Sequence, residues 1–203
     1  MPEPMQNGPQ GPRCWTHCAA MNPSKLFPPF LLIAGLLGLA APASADWKPQ
    51  GAFMEGGAAD HGAYAATAGM IWPWSWKRES WGGAWSGHTE AFASHWSLRG
   101  NSGRDRYTLL GVAPIVRYTF DAGRSPWFLE GGIGASVLDS KVDVPDKQMS
   151  TRFNFYDVIA AGRSFGEGRR QEISLRFTHI SNADIKKPNP GQEFVQLRYA
   201  ARF

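Results

Sequence analysis

Cysteine is nearly absent from this 203-residue chain: Cys14 and Cys18 are the only two, and both precede residue 20. A disulfide-stapled scaffold and a thiol nucleophile are thereby excluded for everything after them. Charge is also sparse and nearly balanced, with 21 Lys and Arg against 17 Asp and Glu. That small surplus comes with no basic helix, zinc-ligand spacing or RNA-binding motif, so nucleic acid is not an expected partner. Beyond residue 40 no apolar run is long enough to cross a membrane as a helix, and no amphipathic helical period persists beyond a few residues. Aromatic residues and glycine are abundant, with 9 Trp, 12 Phe, 5 Tyr and 23 Gly, a composition that favours a β-rich domain over a helical bundle.

The N-terminus reads as an address. From Met21 a short start containing Lys25 leads into the apolar run Leu26 to Leu39 and then to Ala43-Ser44-Ala45, the order of a secretory signal with a small-residue cleavage site. A membrane anchor fits less well, because the run falls short of the ~20 residues a spanning helix needs and contains Pro28 and Pro29. The twenty residues before Met21 have no place in the pattern. The expected organisation is therefore a signal peptide with an atypical N-terminal extension over residues 1–45, its start near Met21, followed by a single domain over residues 46–203 that contains no cysteine.

Strand-like stretches recur through that domain, near residues 51–60, 62–74, 83–97, 106–120, 126–138, 151–165, 171–182 and 192–203, with turn-forming residues between most of them. Two alternate cleanly. Leu110, Val112, Val116, Tyr118 and Phe120 share a face opposite Arg117, and Trp127, Leu129, Ile133, Ala135 and Val137 share a face opposite Glu130 and Ser136. The third stretch lacks a clear apolar side, and in the sixth Asp157 interrupts the face of Phe153, Phe155 and Ile159. Eight such strands behind a signal, ending at Phe203, predict an all-β fold: an eight-stranded antiparallel transmembrane β-barrel of the outer membrane. The terminal aromatic is of the kind that the barrel-assembly machinery reads. Trp72, Trp74, Trp76, Trp81, Trp96 and Trp127 are expected in interfacial girdles near strand ends. A secreted soluble barrel with aromatics in its core is the competing architecture, and periodicity alone does not separate the two.

The last two strands sharpen the picture. Ile173, Leu175, Phe177, His179 and Ser181 share one face, and Glu193, Val195, Leu197, Tyr199, Ala201 and Phe203 share the equivalent face of the next strand. Turning the polar row of Arg176, Arg198, Arg202, Glu172 and Glu130 inward, where its members can pair, sends His179, Ser181 and Glu193 to the lipid side. Ionisable groups there are costly and mark function. The trio supplies a hydroxyl nucleophile, an imidazole base and a carboxylate to orient the base. With both termini periplasmic, the connection between these strands is extracellular, so the trio lies at outer-leaflet depth, where lipopolysaccharide resides and an acyl ester of lipid A would arrive laterally.

The segment Arg176-Phe177-Thr178-His179-Ile180-Ser181-Asn182-Ala183-Asp184, followed by Pro188-Asn189-Pro190-Gly191 and Glu193, resembles the lipid A 3-O-deacylase family, PagL. An H-x-S-N-A motif, an acid 14 positions after the His, a Pro-Asn loop, the strand Phe128-Leu129-Glu130-Gly131-Gly132-Ile133-Gly134 and the terminal Phe carry the resemblance, which covers residues 125–203 well and 46–124 in general character. It implies an outer-membrane esterase that removes the acyl chain at position 3 of lipid A, with His179 as base, Ser181 as nucleophile, Glu193 as orienting acid and Asn182 needed for activity through oxyanion stabilisation. No cofactor is implied. Lipid A or lipopolysaccharide in the outer leaflet is the expected partner, and a homodimer is compatible with the reading.

Elsewhere, His61, His88 and His95 lack metal-ligand spacing, and Asp139, Asp143 and Asp146 lack the dense oxygen-ligand loop of a calcium site, so no metal is expected. Lys186 and Lys187 follow the motif and are candidates for the phosphates of lipid A, although such pairs are often plain surface charge. A nonenzymatic barrel, an adhesin or membrane-stabilising protein, explains the fold equally well but leaves the clustering of His179, Ser181 and Glu193 without a reason. An acyltransferase acting on the same lipid would share the acyl-enzyme logic.

Overall fold

In the computed structural model, residues 48–203 are described; the expected signal segment, residues 1–45, lies outside them. Eight strands form a closed barrel: β1 (Gly51–Ala58), β2 (Tyr64–Ser80), β3 (Gly83–Arg99), β4 (Arg104–Phe120), β5 (Trp127–Leu138), β8 (Phe153–Phe165), β9 (Gln171–Ser181) and β10 (Gln192–Arg202). A two-residue hairpin, β6 (Asp143–Val144) with β7 (Lys147–Gln148), decorates the connection between β5 and β8. Each barrel strand pairs antiparallel with its neighbours, and β1 closes on β10 from Gly51 opposite Arg202 to Ala58 opposite Val195. Closure satisfies every strand edge along that seam, as a β-structure in lipid requires. No helix among the described residues is long and apolar enough to cross a membrane.

The strand boundaries fall within two residues of those expected, except that β2 continues to Ser80 instead of ending at 74. Pro73 does not stop it, because the pairing with β3 shifts register between Pro73 and Lys77, and a bulge accommodates a residue that cannot donate to the ladder.

The wall is apolar outside and mixed inside. Leu175 and Leu197 are 59% and 58% exposed, whereas Arg176 and Arg198, one residue further on, are 1% and 3% exposed. Leu110, Val112, Leu129, Ile133 and Ile159 continue the same outer belt around the other strands. A soluble barrel would bury these side chains, so the belt distinguishes the two architectures. Inside, the half toward Gly51 and Arg202 holds an ion network. Arg176 reaches Glu90 at 3.0 Å, Glu55 at 3.4 Å and Glu130 at 3.5 Å; Arg198 reaches Glu90 at 2.7 Å; Arg117 bridges Glu130 and Glu172, each at 2.6 Å. The guanidinium of Arg198 also stacks over Phe53. His88, on the polar face that made β3 hard to read, joins through Glu90 at 2.9 Å. Toward the opposite end, Trp96, Leu109, Leu138, Ile180 and Phe194 form an apolar plug. Trp96, expected in a girdle, is instead inside: its ring packs on Phe194 and its indole N–H donates to Ser94. Trp81 and Trp127 remain exposed on the outside, at the barrel end that holds Gly51 and Arg202.

Candidate active site

The barrel register sets chemistry-bearing side chains on the outer wall at the end where β9 connects to β10. His179 on β9 stands opposite Glu193 on β10, and opposite Asp157 on β8 on its other side. The His179 Nδ1–H donates to Glu193 Oε1 at 2.8 Å. A carboxylate only accepts, so this bond fixes the proton on Nδ1 and leaves the Nε2 lone pair free to take a proton from elsewhere. Both side chains are partly open, at 34% and 40% exposure.

Ser181 lies two residues along β9, on the same outward face, about 7 Å away between Cα atoms by strand geometry. It is buried, opposite Phe155. None of the hydrogen bonds among the described residues uses its hydroxyl. In unliganded hydrolases the bond from nucleophile to base is often long and tightens when substrate binds.

The loop over residues 182–191, joining β9 to β10, is built to frame the pair. Ala183 and Asp184 adopt left-handed backbone, the Asn182 N–H donates to Asn189 Oδ1 at 3.0 Å, and Asn189 Nδ2 donates to Asp184 Oδ1 at 3.3 Å. The side-chain amide of Asn182 is spent on Lys186 O at 2.8 Å, Thr151 Oγ1 at 3.0 Å and Ser150 Oγ at 3.1 Å. Its two N–H groups already face three acceptors, so in this arrangement they tie the loop to residues 150–151 and leave no hydrogen for an oxyanion. At the far end of the loop, Gly191 has φ of +73°, and a Cβ there would lie 2.6 Å from His179 Cε1. Only glycine both adopts that backbone without strain and lets the imidazole rest against it.

Lys186 and Lys187 are exposed on this loop, and Lys187 pairs with Asp184 at 3.8 Å. The structure adds four residues to those expected at the site. Asp157 was visible as a break in an apolar face. Asn189 and Gly191 were visible only as parts of a motif, with no contact assigned. Lys147, whose Nζ is 3.9 Å from Glu193 Oε2, sits on a loop without periodicity and gave no signal. No cluster of metal-ligating side chains occurs among the described residues.

Such an arrangement can deprotonate a serine hydroxyl and hold the resulting imidazolium against a carboxylate, on a surface that meets lipid and not an aqueous cleft. Comparison with known proteins identifies the family. The family model described as Lipid A 3-O-deacylase (PagL) matches residues 61–202. The lipid A deacylase PagL of Pseudomonas aeruginosa is 35% identical over 133 residues, which is 64% of this chain and 73% of that protein. The lipid A deacylase PagL of Bordetella bronchiseptica is 35% identical over 114 residues, 56% of this chain and 61% of that protein. A crystal structure of the outer membrane enzyme PagL superposes with a TM-score of 0.65 at 30% identity, covering 75% of this chain and 99% of that one. The chain therefore belongs to the lipid A 3-O-deacylase family, PagL.

Proposed function

We propose that the protein is an outer-membrane esterase that hydrolyses the acyl ester at position 3 of lipid A, with Ser181 as nucleophile, His179 as base and Glu193 as orienting acid. The observation that carries this reading is the 2.8 Å bond from His179 Nδ1 to Glu193 Oε1 on the lipid-facing wall, two residues from Ser181. An imidazole hydrogen-bonded to a carboxylate on an apolar outer belt has no structural need there, since the barrel's own charges are paired inside. The relatives named as lipid A deacylases point to the substrate.

Catalysis follows from these groups. His179 Nε2 takes the Ser181 proton as Oγ attacks the ester carbonyl, and Glu193 stabilises the imidazolium through Nδ1–H. The tetrahedral intermediate collapses with proton transfer from His179 to the departing 3-hydroxyl of lipid A, leaving an acyl-serine. Water, deprotonated by the same imidazole, then releases the fatty acid and restores the serine. Asn182 contributes by holding the loop that backs His179, through its bonds to Ser150, Thr151 and Lys186. Lys186 and Lys187 lie where the outer-leaflet phosphates of lipid A would meet the loop, and Lys186 is the better placed because Lys187 already pairs with Asp184. The trio comes from one chain, so the chemistry does not require a homodimer.

The test is mass spectrometry of lipid A from cells producing the wild-type protein or Ser181→Ala at equal outer-membrane abundance. Loss of one acyl chain from position 3 in the wild type alone is the expected result. Unchanged lipid A in both, including after detergent extraction and mixing with purified lipid A, would overturn the reading.

A further inference from the structure

The hairpin between β5 and β8 carries a lysine in surroundings unusual for a loop cation. The Lys147 side chain is only 9% exposed, and the hairpin residues Val144 and Met149 beside it are buried. Its Nζ lies 3.6 Å from Asp60 Oδ1, on the connection between β1 and β2, and 3.9 Å from Glu193 Oε2. Glu193 Oε1 is the atom that accepts from His179. Lys147 and His179 therefore hold the two oxygens of one carboxylate.

We propose that Lys147 is a positioning residue of the hydrolytic site, one that acts through Glu193; the inference rests on the deacylase reading above. Backbone register fixes the Cα of Glu193 opposite His179, but three side-chain torsions lie between that Cα and the carboxylate, and the side chain is 40% exposed. Without a second contact the carboxylate is free to turn toward solvent. A cation at Oε2 selects the rotamer that presents Oε1 to Nδ1, and with it the tautomer that leaves Nε2 basic. Asp60 anchors the cation from the far side, and Asp60 also faces His61 at 3.6 Å, which in turn lies 3.6 Å from Asp146. Around the imidazole itself the charged groups are Glu193 from β10 and Asp157 from β8. A role for Lys147 in gripping lipid A phosphate fits poorly, because its ammonium is covered and directed at two carboxylates, unlike the exposed Lys186.

The experiment measures kcat and KM on purified lipid A in mixed detergent micelles for the wild type, Lys147→Met, Lys147→Arg, Glu193→Gln and the double variant Lys147→Met/Glu193→Gln, with Ser181→Ala as baseline and folding checked by the heat-dependent shift in gel mobility. Lys147→Met is expected to lower kcat about two- to fivefold, the range a partly exposed ion pair supplies, with KM unchanged. Lys147→Arg restores most of the rate. In the Glu193→Gln background the Lys147 substitution has no further effect, because the carboxylate through which it acts is gone; if Glu193→Gln falls to baseline, the kcat loss in Lys147→Met and its rescue by Lys147→Arg decide the matter. Wild-type rate in Lys147→Met, a rise in KM at constant kcat, or losses that multiply in the double variant would each overturn the inference while leaving the esterase intact. A wild type no faster than Ser181→Ala would instead remove the esterase reading, and this inference with it.

Discussion

Replacing Gly191 by alanine tests whether the loop after β9 sets the position of the base. The added Cβ would stand 2.6 Å from His179 Cε1 and 3.4 Å from both ring nitrogens. Carbon atoms rest about 3.5–4.0 Å apart, so the ring has to retreat by about 1 Å. The Nδ1 to Oε1 separation of 2.8 Å then stretches toward a length at which no hydrogen bond persists. A displacement of that size in a reacting group costs on the order of 10²-fold in rate. The left-handed backbone at Gly191 adds about 1–2 kcal/mol of strain for any residue with a Cβ, but confined to a loop it leaves the barrel intact. Deacylation of lipid A followed by mass spectrometry should therefore fall about a hundredfold in Gly191→Ala, with the folded barrel's gel mobility unchanged. Gly191→Asn separates the two causes, since asparagine tolerates the left-handed region but carries the same Cβ. Activity in Gly191→Ala within about threefold of wild type would refute the argument from ring displacement; recovery in Gly191→Asn would assign the loss to backbone strain.

Two further outcomes follow from contacts elsewhere. Arg176→Ala strips Glu90, Glu55 and Glu130 of a shared buried cation and should cost about 3–5 kcal/mol, read as a lower temperature for the loss of folded gel mobility; an unchanged temperature would mean the interior rearranges to neutralise the carboxylates. Asn182→Ala removes the ties to Ser150, Thr151 and Lys186, so limited proteolysis of intact cells should cut within residues 182–191 while activity drops about tenfold or more; lost activity with an unchanged cleavage pattern would return Asn182 to direct oxyanion stabilisation.

Much of this was legible in the residues because a barrel wall obeys a period of two. Once Leu175 and Leu197 face lipid, Arg176 and Arg198 must face inward, and His179 is carried outward by parity alone. The H-x-S spacing on one strand and the acid on the next are likewise one-dimensional facts, since neighbouring antiparallel strands joined by a loop are bound to pair. Parity failed where the interior was not purely polar. β3 alternates poorly because its inward row runs from His88 and Glu90 to Trp96 and Leu98, crossing from the ion network into the apolar plug, and the same crossing takes Trp96 out of the girdle expected for it. What only the tertiary structure decided is everything that depends on loops meeting across the barrel mouth. Lys147 and Glu193 are 46 positions apart, Asp60 is further still, and no periodicity links them. Likewise the sequence held Gly191 and Asn182 as letters of a motif, but the reason for each is a contact: an imidazole resting where a Cβ would be, and an amide shared among three acceptors on two loops. Strand patterning is written locally because it answers to a uniform solvent on each side of the wall, whereas a site is written in distances that exist only after the wall has closed.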